Sequence, residues 1–461
     1  MLPFPNPVSQ MHRSLKISSI ILTLLLLSGC ASTARFPDNP PLVTARPVTQ
    51  PQPPESTLLI LTISGGGSRA SAFAYGVLEA LWTTPVSDNP GSPSLLDKVN
   101  MISAVSGGSI IAAYYGLHGD RLFWDFQSNF LERDVRNEMR QRMLSLENLS
   151  RLSSTTFGSG DVLDEYFREK LYGDRPLSEL FDEQGPIVII NATDLFKGSR
   201  FGFTPEIFSF ICSDSEQFPV ARAVAASSAV PLIFTPITMK NRSGNCNHTT
   251  PKWVQQGLTE KVVNPRRHRL ARTWKRYLNQ VDHPYIHLLD GGLSDNLGLR
   301  AIIDQIIIND GIENALKHHE LDGVQRIVLI EIDAAAGLPS EWEKKPDHPP
   351  QAVIINAAST TPLRNYNFET KDFLHNQMTD WSQNSNRAGD CQKGLDCKIE
   401  LYFIDINLED SFETLEGKPL SSIPTDFNLP ENGAKKLISA GRQLFLQHPE
   451  FIRLMEDSNK Q

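Results

Sequence analysis

The sequence predicts an α/β fold with a mostly parallel central sheet. Short apolar runs rich in Ile, Val and Leu alternate with helical patterns, and glycine-containing turns follow several of the runs. The 461 residues are 40% hydrophobic and 21% charged, which is enough apolar material for one large domain or two ordinary ones. The formal net charge of −9 shows no basic excess, so we expect no nucleic-acid partner.

The N-terminal region differs in composition from the rest of the chain. The basic residues His12, Arg13 and Lys16 precede an apolar run over residues 17–27, which is typical of a secretory signal. The run is shorter than the roughly 20 residues that a membrane-spanning helix needs. Met11 is an alternative start, because residues 1–10 add nothing to this signal.

The signal ends in Leu27-Ser28-Gly29-Cys30, which resembles a bacterial lipobox. That resemblance implies a signal peptide over residues 1–29, lipid on Cys30 and a membrane-anchored, exported protein. With Ala31 next, it further implies the outer membrane, facing the periplasm. An ordinary signal and an uncleaved anchor are the alternatives. Residues 30–55 are rich in Pro, Thr and Ala and are predicted to be an extended tether.

Four further cysteines lie in the body of the chain, at Cys212, Cys246, Cys391 and Cys397. Export would place them in an oxidising compartment, where four thiols allow three pairings. Short loops favour Cys212–Cys246 with Cys391–Cys397. No CxxC pair or recognisable ligand set is present, so we expect no metal, and no motif implies a cofactor.

The first predicted strand covers residues 56–63 and leads into Gly65, Gly66 and Gly67, followed by a helix. Backbone N–H groups of such a loop suit an anion, and Arg69 in the first helical turn fits the same role. The anion is a dinucleotide phosphate or the oxyanion of an acyl-transfer intermediate. The dinucleotide alternative needs an acid at the end of a second strand, and Asp88 lies in a loop instead.

A second strand begins at Val99 and ends at Ser106, where Gly107 and Gly108 lead into an apolar helix. A serine at a sharp strand-to-helix turn has the geometry of a nucleophile elbow. The alternative is an ordinary glycine-containing turn with an incidental serine.

Asp290 is a third candidate site residue. It directly follows the predicted strand over residues 285–289 and precedes Gly291 and Gly292. Enzymes with α/β sheets place catalytic groups at the carboxyl ends of buried strands. The alternative is a common Asp-Gly turn.

These motifs, taken in order, resemble the patatin-like phospholipase family. The four pieces are residues 64–69, 104–108, 226–234 and 290–292, and residues 191–194 also resemble the family's strand after the nucleophile helix. The match covers about residues 56–301. Each motif is weak alone, but four in order at strand and helix ends are specific.

The resemblance implies a three-layer α/β/α sandwich and a Ser–Asp dyad that acts on lipid acyl esters. Ser106 would be the nucleophile and Asp290 its general base, with Gly65–Gly67 and Arg69 holding the oxyanion. One position departs from the family's usual G-x-S-x-G elbow, because Ala104 stands at the first glycine.

The dyad is preferred to a Ser-His-Asp triad. His287 lies three residues before Asp290 in a strand, so its side chain points to the opposite face. A carboxylate at its ordinary pKa is a poor base. Burial raises that pKa and makes the carboxylate a better base.

The basic segment within residues 241–272 is predicted to be an inserted loop with a solvated face; contact with lipid headgroups is the alternative. We expect a core over residues 56–303 and an α/β extension over residues 304–461 packed on it. The leading hypothesis is a membrane-anchored lipid acyl hydrolase of the phospholipase or lysophospholipase type. The alternatives are a carboxylesterase on small soluble esters, and a non-catalytic lipoprotein that binds lipid or a partner.

Overall fold

A computed structural model describes most of the chain. It covers residues 34–42, 56–87, 91–182, 185–246, 249–321, 323–335, 342–387 and 399–459. The signal, Cys30 and most of the tether lie outside the described residues, as do Cys391 and Cys397.

The centre of the molecule is an eight-stranded mixed sheet. Its strand order is β5-β6-β3-β2-β1-β7-β8, and β4 pairs with β3. The strands are β1 Thr57–Ile63, β2 Val99–Val105, β3 Ile187–Asp194, β4 Ser199–Phe203, β5 Ile237–Lys240, β6 Tyr285–Leu289, β7 Arg326–Asp333 and β8 Glu400–Asn407. A separate small hairpin joins β9 Thr414–Leu415 to β10 Lys418–Pro419.

The parallel part of the sheet runs from β3 through β2, β1 and β7 to β8. Strands β1 and β7 are buried along nearly their whole length because both of their faces are covered, as is usual for parallel sheets. The strands β4, β5 and β6 join antiparallel at the other end.

Helices cover the two faces of the sheet. They are α1 Ser68–Thr83, α2 Gly107–His118, α3 Leu122–Phe126, α4 Val135–Met143, α5 Leu146–Arg151, α6 Ser159–Phe167, α7 Pro205–Phe210, α8 Val220–Ser227, α9 Lys252–Gly257, α10 Pro265–Tyr277, α11 Gly292–Asp295, α12 Arg300–Ile308, α13 Ile312–His318, α14 Gln351–Arg387, α15 Gly433–Gln447 and α16 Pro449–Ser458.

Alternate side chains of β1 enter two separate cores, which gives the three layers. Leu59 and Leu61 pack into the core formed with α1, α2 and α15. Leu58 and Ile60 pack into the core formed with α12, α13 and α14. The period of two along the strand therefore places helices on both faces, and the predicted α/β/α sandwich is confirmed.

The C-terminal region adds β7 and β8 to the same sheet, with β7 directly beside β1. Helix α15 lies so close to α1 that a Cβ on Gly76 would stand 1.9 Å from the carbonyl oxygen of Ile438. The sequence predicts a helix over residues 352–379 with a break near Pro362, but α14 continues through that residue. Within the described residues, no helix is both long and apolar enough to cross a membrane.

A disulfide joins Cys212 to Cys246, with Cα atoms 5.7 Å apart. This is one of the two short-loop pairings expected from the sequence. The bond fixes the turn after α7 to the segment that follows β5.

Candidate active site

Ser106 lies at a sharp turn between β2 and α2. Its φ of 51° and ψ of −123° are unusual for a residue with a side chain, and such strain is concentrated at functional sites. Helix α2 begins at the next residue, Gly107, where an added Cβ would lie 2.0 Å from the carbonyl oxygen of Gly67. The glycine therefore lets the nucleophile turn approach the glycine loop.

Asp290 directly follows β6 and faces the serine. The Ser106 hydroxyl donates a 2.7 Å hydrogen bond to Oδ2 of Asp290, and the N–H of Gly292 donates a 2.8 Å bond to Oδ1. Burial raises the pKa of Asp290 to about 6, although both hydrogen bonds act in the opposite direction. The site therefore holds a serine hydroxyl against a carboxylate whose basicity is raised by burial.

Ser227, at the end of α8, ties the nucleophile to its neighbours. Its Oγ accepts the backbone N–H of Ser106 at 2.8 Å and donates to the carbonyl oxygen of Asn191 at 2.6 Å. The Ser109 hydroxyl oxygen lies 2.9 Å from Oγ of Ser227. The carbonyl oxygen of Ser227 also accepts the N–H of Gly291. The sequence motif over residues 226–234 contained Ser227, but gave it no role.

The strand β3 supports both reacting residues. The Thr193 hydroxyl donates to the carbonyl oxygen of Asp290 at 2.9 Å. The Asn191 side chain donates to the carbonyl oxygen of Ala104 at 3.0 Å. Ala104 itself is fully buried between β1 and β3. The sheet therefore accommodates the methyl group of Ala104, which stands at the first glycine of the family's usual elbow.

The glycine loop presents fewer amides to an oxyanion than the sequence suggested. The N–H of Gly65 donates to the carbonyl oxygen of Asn296 at 3.0 Å, so this amide is engaged. Within the described part of the chain, the N–H groups of Gly66 and Gly67 donate no hydrogen bond. Gly67 has a φ of 60°, and a Cβ there would stand 2.4 Å from the carbonyl oxygen of Asp426. The loop therefore leaves Gly66 and Gly67 as its candidate oxyanion donors.

The contacts of the Arg69 side chain also differ from those expected of a group that holds the oxyanion. Its side chain is 1% exposed and donates to the C-terminal region: Nε to the carbonyl oxygen of Ala334 at 2.9 Å, Nη1 to that of Ile423, and Nη2 to Oγ1 of Thr425 at 3.1 Å. Burial lowers the pKa of Arg69 to about 10, partly offset by Asp333. Arg69 is therefore a positioning residue that anchors the loop to the C-terminal region.

Within the described residues, no histidine hydrogen-bonds to Ser106 or Asp290. The Asp290 carboxylate accepts its hydrogen bonds from the Ser106 hydroxyl and the Gly292 N–H. The Nδ1 atom of His287 lies 3.0 Å from Oγ1 of Thr238 on β5. The described residues also contain no group of three or more His, Cys, Asp or Glu side chains able to hold a metal ion.

Three exposed apolar side chains lie within four residues of a backbone contact between Asp290 and Ala229. The N–H of Asp290 bonds to the carbonyl oxygen of Ala229. Leu232, three residues beyond Ala229, is 94% exposed, and Leu293, three residues beyond Asp290, is 49% exposed. Ile233 is exposed in the same turn as Leu232. Clustered exposed apolar side chains of this kind mark binding surfaces.

Comparison with known proteins identifies the family. The model of the family described as patatin-like phospholipase matches residues 61–303, more than half of the chain. Comparison with curated protein sequences gives no match.

Two of the solved structures similar to this chain are of human GIVD cytosolic phospholipase A2. The first has 13% identity and a TM-score of 0.41, and the match covers 88% of this chain and 61% of that one. The second, a complex with methyl gamma-linolenyl fluorophosphonate, has 14% identity and a TM-score of 0.40, with 88% and 60% covered. This chain thus spans about three fifths of the length of those chains. From the family match, the chain belongs to the patatin-like phospholipase family.

Proposed function

We propose that this protein is a membrane-anchored serine hydrolase that cleaves an acyl ester of a phospholipid or lysophospholipid. The observation that carries the proposal is the 2.7 Å hydrogen bond from the Ser106 hydroxyl to Asp290. A serine becomes a nucleophile only when a base accepts its proton, and a carboxylate with a pKa of about 6 is a better base than an exposed one.

The first half-reaction forms an acyl-enzyme. The Ser106 Oγ attacks the ester carbonyl carbon while Asp290 takes the hydroxyl proton, and the carbonyl oxygen becomes an oxyanion. The N–H groups of Gly66 and Gly67 stabilise that oxyanion, together with the N–H of Gly107 after the nucleophile. The intermediate then expels the alcohol oxygen, which takes the proton from Asp290.

The second half-reaction reverses these roles. Asp290, again ionised, takes a proton from water as the water oxygen attacks the acyl carbonyl. The second intermediate collapses, the bond to Ser106 breaks, and Oγ recovers its proton from Asp290. The products are a fatty acid and the deacylated lipid, and the enzyme returns to its initial state.

A lipid substrate is favoured over a small soluble ester by the apolar side chains near the dyad. Leu232, Ile233 and Leu293 remain exposed, and an acyl chain passing over them would shield them from water. A carboxylesterase for short esters has no need of such a surface. A non-catalytic role gives no reason for the strained serine to face a carboxylate.

Export and anchoring form the second part of the proposal. The lipobox-like sequence ending at Cys30 supports lipidation and an outer-membrane location. The Cys212–Cys246 disulfide supports an oxidising compartment, because such bonds are rare in the cytosol.

An acyl-chain series on the full chain and its Ser106→Ala variant tests the proposal. We expect phospholipid or lysophospholipid to be cleaved faster than a butyrate ester, and both activities to be lost in the variant with its circular dichroism unchanged. Unaltered turnover in the variant would exclude Ser106 as the nucleophile. A preference for the butyrate ester would favour the carboxylesterase alternative.

A further inference from the structure

The segment expected to be a basic inserted loop contains α9 and the first part of α10. Helix α10 carries six cationic side chains in thirteen residues and no acidic one. The whole chain, by contrast, has a formal net charge of −9. The positive charge is therefore local to one part of an acidic protein.

One side of α10 borders a shallow groove of about 490 Å³. Its ionisable lining residues are all basic: Lys261, His268, Arg272, Lys275, Arg276 and His283. Leu258 and Asn279 complete the lining. The described lining thus contains no carboxylate to neutralise the cations.

The cations of this basic groove are available to a ligand. In the described part of the chain, Lys261, Arg272 and Lys275 take part in no ion pair, and Arg276 Nη1 lies 3.4 Å from the carbonyl oxygen of Phe196. By contrast, Arg267 on the same helix forms a two-pronged ion pair with Glu260. Several unneutralised cations around one concavity attract a multivalent anion or an anionic surface.

Three of the most exposed apolar side chains flank the basic groove. Val262 and Val263 directly follow Lys261 and are 89% and 88% exposed. Val281, between Asn279 and His283, is 91% exposed. Apolar side chains beside a cationic face are typical of elements that lie at a membrane interface.

The C-terminal end of α10 is fixed next to the dyad's edge of the sheet. The Tyr277 hydroxyl donates to Oδ2 of Asp194 at 2.9 Å. Asp194 pairs with Leu288 on β6, two residues before Asp290. The C-terminal residue of α10 is therefore linked to β6 two residues before Asp290.

We propose that the basic groove binds the anionic headgroups of a phospholipid bilayer while the flanking valines enter its interfacial region. This would hold the dyad at the membrane surface. The proposal deepens the proposed function and rests on it only for the biological use of the docking. An acidic protein or a nucleic acid would use the cations but would give no reason for the three exposed valines.

Vesicle binding by the full chain tests the proposal in a Ser106→Ala background, so that no lipid is consumed. Partitioning is compared between vesicles of phosphatidylcholine and equimolar vesicles of phosphatidylcholine and phosphatidylglycerol. Because any N-terminal anchor contributes equally to both, the ratio of the two partition coefficients isolates the charge effect. The test variant is Arg272→Gln/Lys275→Gln. The matched control is Arg140→Gln/Lys435→Gln, at two exposed cations on α4 and α15.

We expect the test variant to lower the anionic-to-neutral ratio about 30-fold, since each of the two cations at an anionic surface contributes about fivefold. The control should keep the wild-type ratio. A test variant that keeps the ratio, or a control that loses as much, would overturn the proposal.

The valines separate a membrane from other polyanions. Val263→Ser/Val281→Ser should weaken binding to both kinds of vesicle while leaving binding to heparin unchanged. Vesicle binding unaffected by this change would contradict bilayer docking. The same groove substitutions made in the chain that retains Ser106 should hydrolyse a soluble butyrate ester at the wild-type rate. Loss of vesicle binding with that rate retained separates docking from catalysis, whereas failure of the proposed function would appear as an inactive wild-type chain.

Discussion

The backbone N–H of Ser106 donates a 2.8 Å hydrogen bond to the hydroxyl of Ser227, 121 residues away in the chain. That hydroxyl in turn donates to the carbonyl oxygen of Asn191 on β3. Ser227 therefore holds the strained nucleophile turn against the neighbouring strand.

Ser227→Ala should impair catalysis more than substrate binding. The change leaves the buried N–H of Ser106 and one bond of Asn191 unmade, at a cost of about 2 kcal/mol in the free energy of unfolding. We expect kcat to fall about 10- to 100-fold with KM little changed, because the nucleophile loses its alignment. Steady-state kinetics and denaturant unfolding measure the two effects.

Ser228→Ala is the matched control for this variant. The neighbouring hydroxyl is also buried, but it has no hydrogen-bond partner in the described structure. Its removal should leave kcat unchanged and stability equal or slightly higher. If both serine variants behave alike, the hydrogen bond from Ser106 has no special role.

The pH dependence of kcat/KM should report Asp290. Burial raises its pKa from 3.8 to about 6, so the carboxyl is protonated and unable to accept the serine proton at lower pH. Activity on a soluble ester should therefore rise with pH to a plateau, with a midpoint at about 6. Asp295, whose pKa burial raises to about 7, provides the control.

The Asp295→Asn variant should keep the midpoint of the wild-type profile, because Asp295 contacts Arg300 rather than Ser106. If the midpoint disappeared in the Asp295→Asn variant, the titrating group would be Asp295 and not Asp290. The sign for stability is opposite to that for activity. Since folding raises the pKa of Asp290, its contribution is fully present below pH 3.8 and is lost as the pH rises through about 6.

Arg69→Met should loosen the connection between the glycine loop and the C-terminal region. The buried guanidinium has three acceptors there, so its removal should lower the free energy of unfolding by about 3 kcal/mol or more. It should also lower kcat by misplacing Gly66 and Gly67. Arg442→Met removes a more exposed ion pair with Glu79 and should cost less than about 1 kcal/mol. Equal losses in the two variants would contradict the role given to Arg69.

The disulfide should stabilise the fold without contributing to catalysis. The bond closes a loop with a sequence separation of 34, for which chain entropy gives about 4 kcal/mol. Cys212→Ala/Cys246→Ala should lower the free energy of unfolding by up to this amount and leave kcat unchanged at room temperature. A variant as stable as the parent would show that these cysteines are not joined in the protein.

Local patterns predicted the parts of the site that depend on chain-neighbouring residues. The apolar runs before Ser106 and Asp290 indicated buried strands, and the glycines after them indicated tight turns. The structure puts both residues at strand ends and within hydrogen-bond distance of each other.

Contacts between distant segments were not predictable in the same way. The Gly65 amide donates to the carbonyl oxygen of Asn296. Two carbonyl acceptors of the Arg69 side chain lie in the C-terminal region, at Ala334 after β7 and at Ile423 before α15. Backbone carbonyls carry no residue-specific signal in the sequence. An arginine beside a glycine loop therefore suggested an anion, whereas two of its three acceptors are main-chain oxygens brought in by the fold.

Labelling with a fluorophosphonate is the most direct test of the Ser–Asp dyad, because this reagent forms a covalent bond only with an activated serine. Intact-mass measurement and peptide mapping of the full chain should find one adduct, on Ser106. The adduct should be absent in Ser106→Ala and should form much more slowly in Asp290→Asn. A folded wild-type chain that takes up no label, or that is labelled at another serine, would contradict the account.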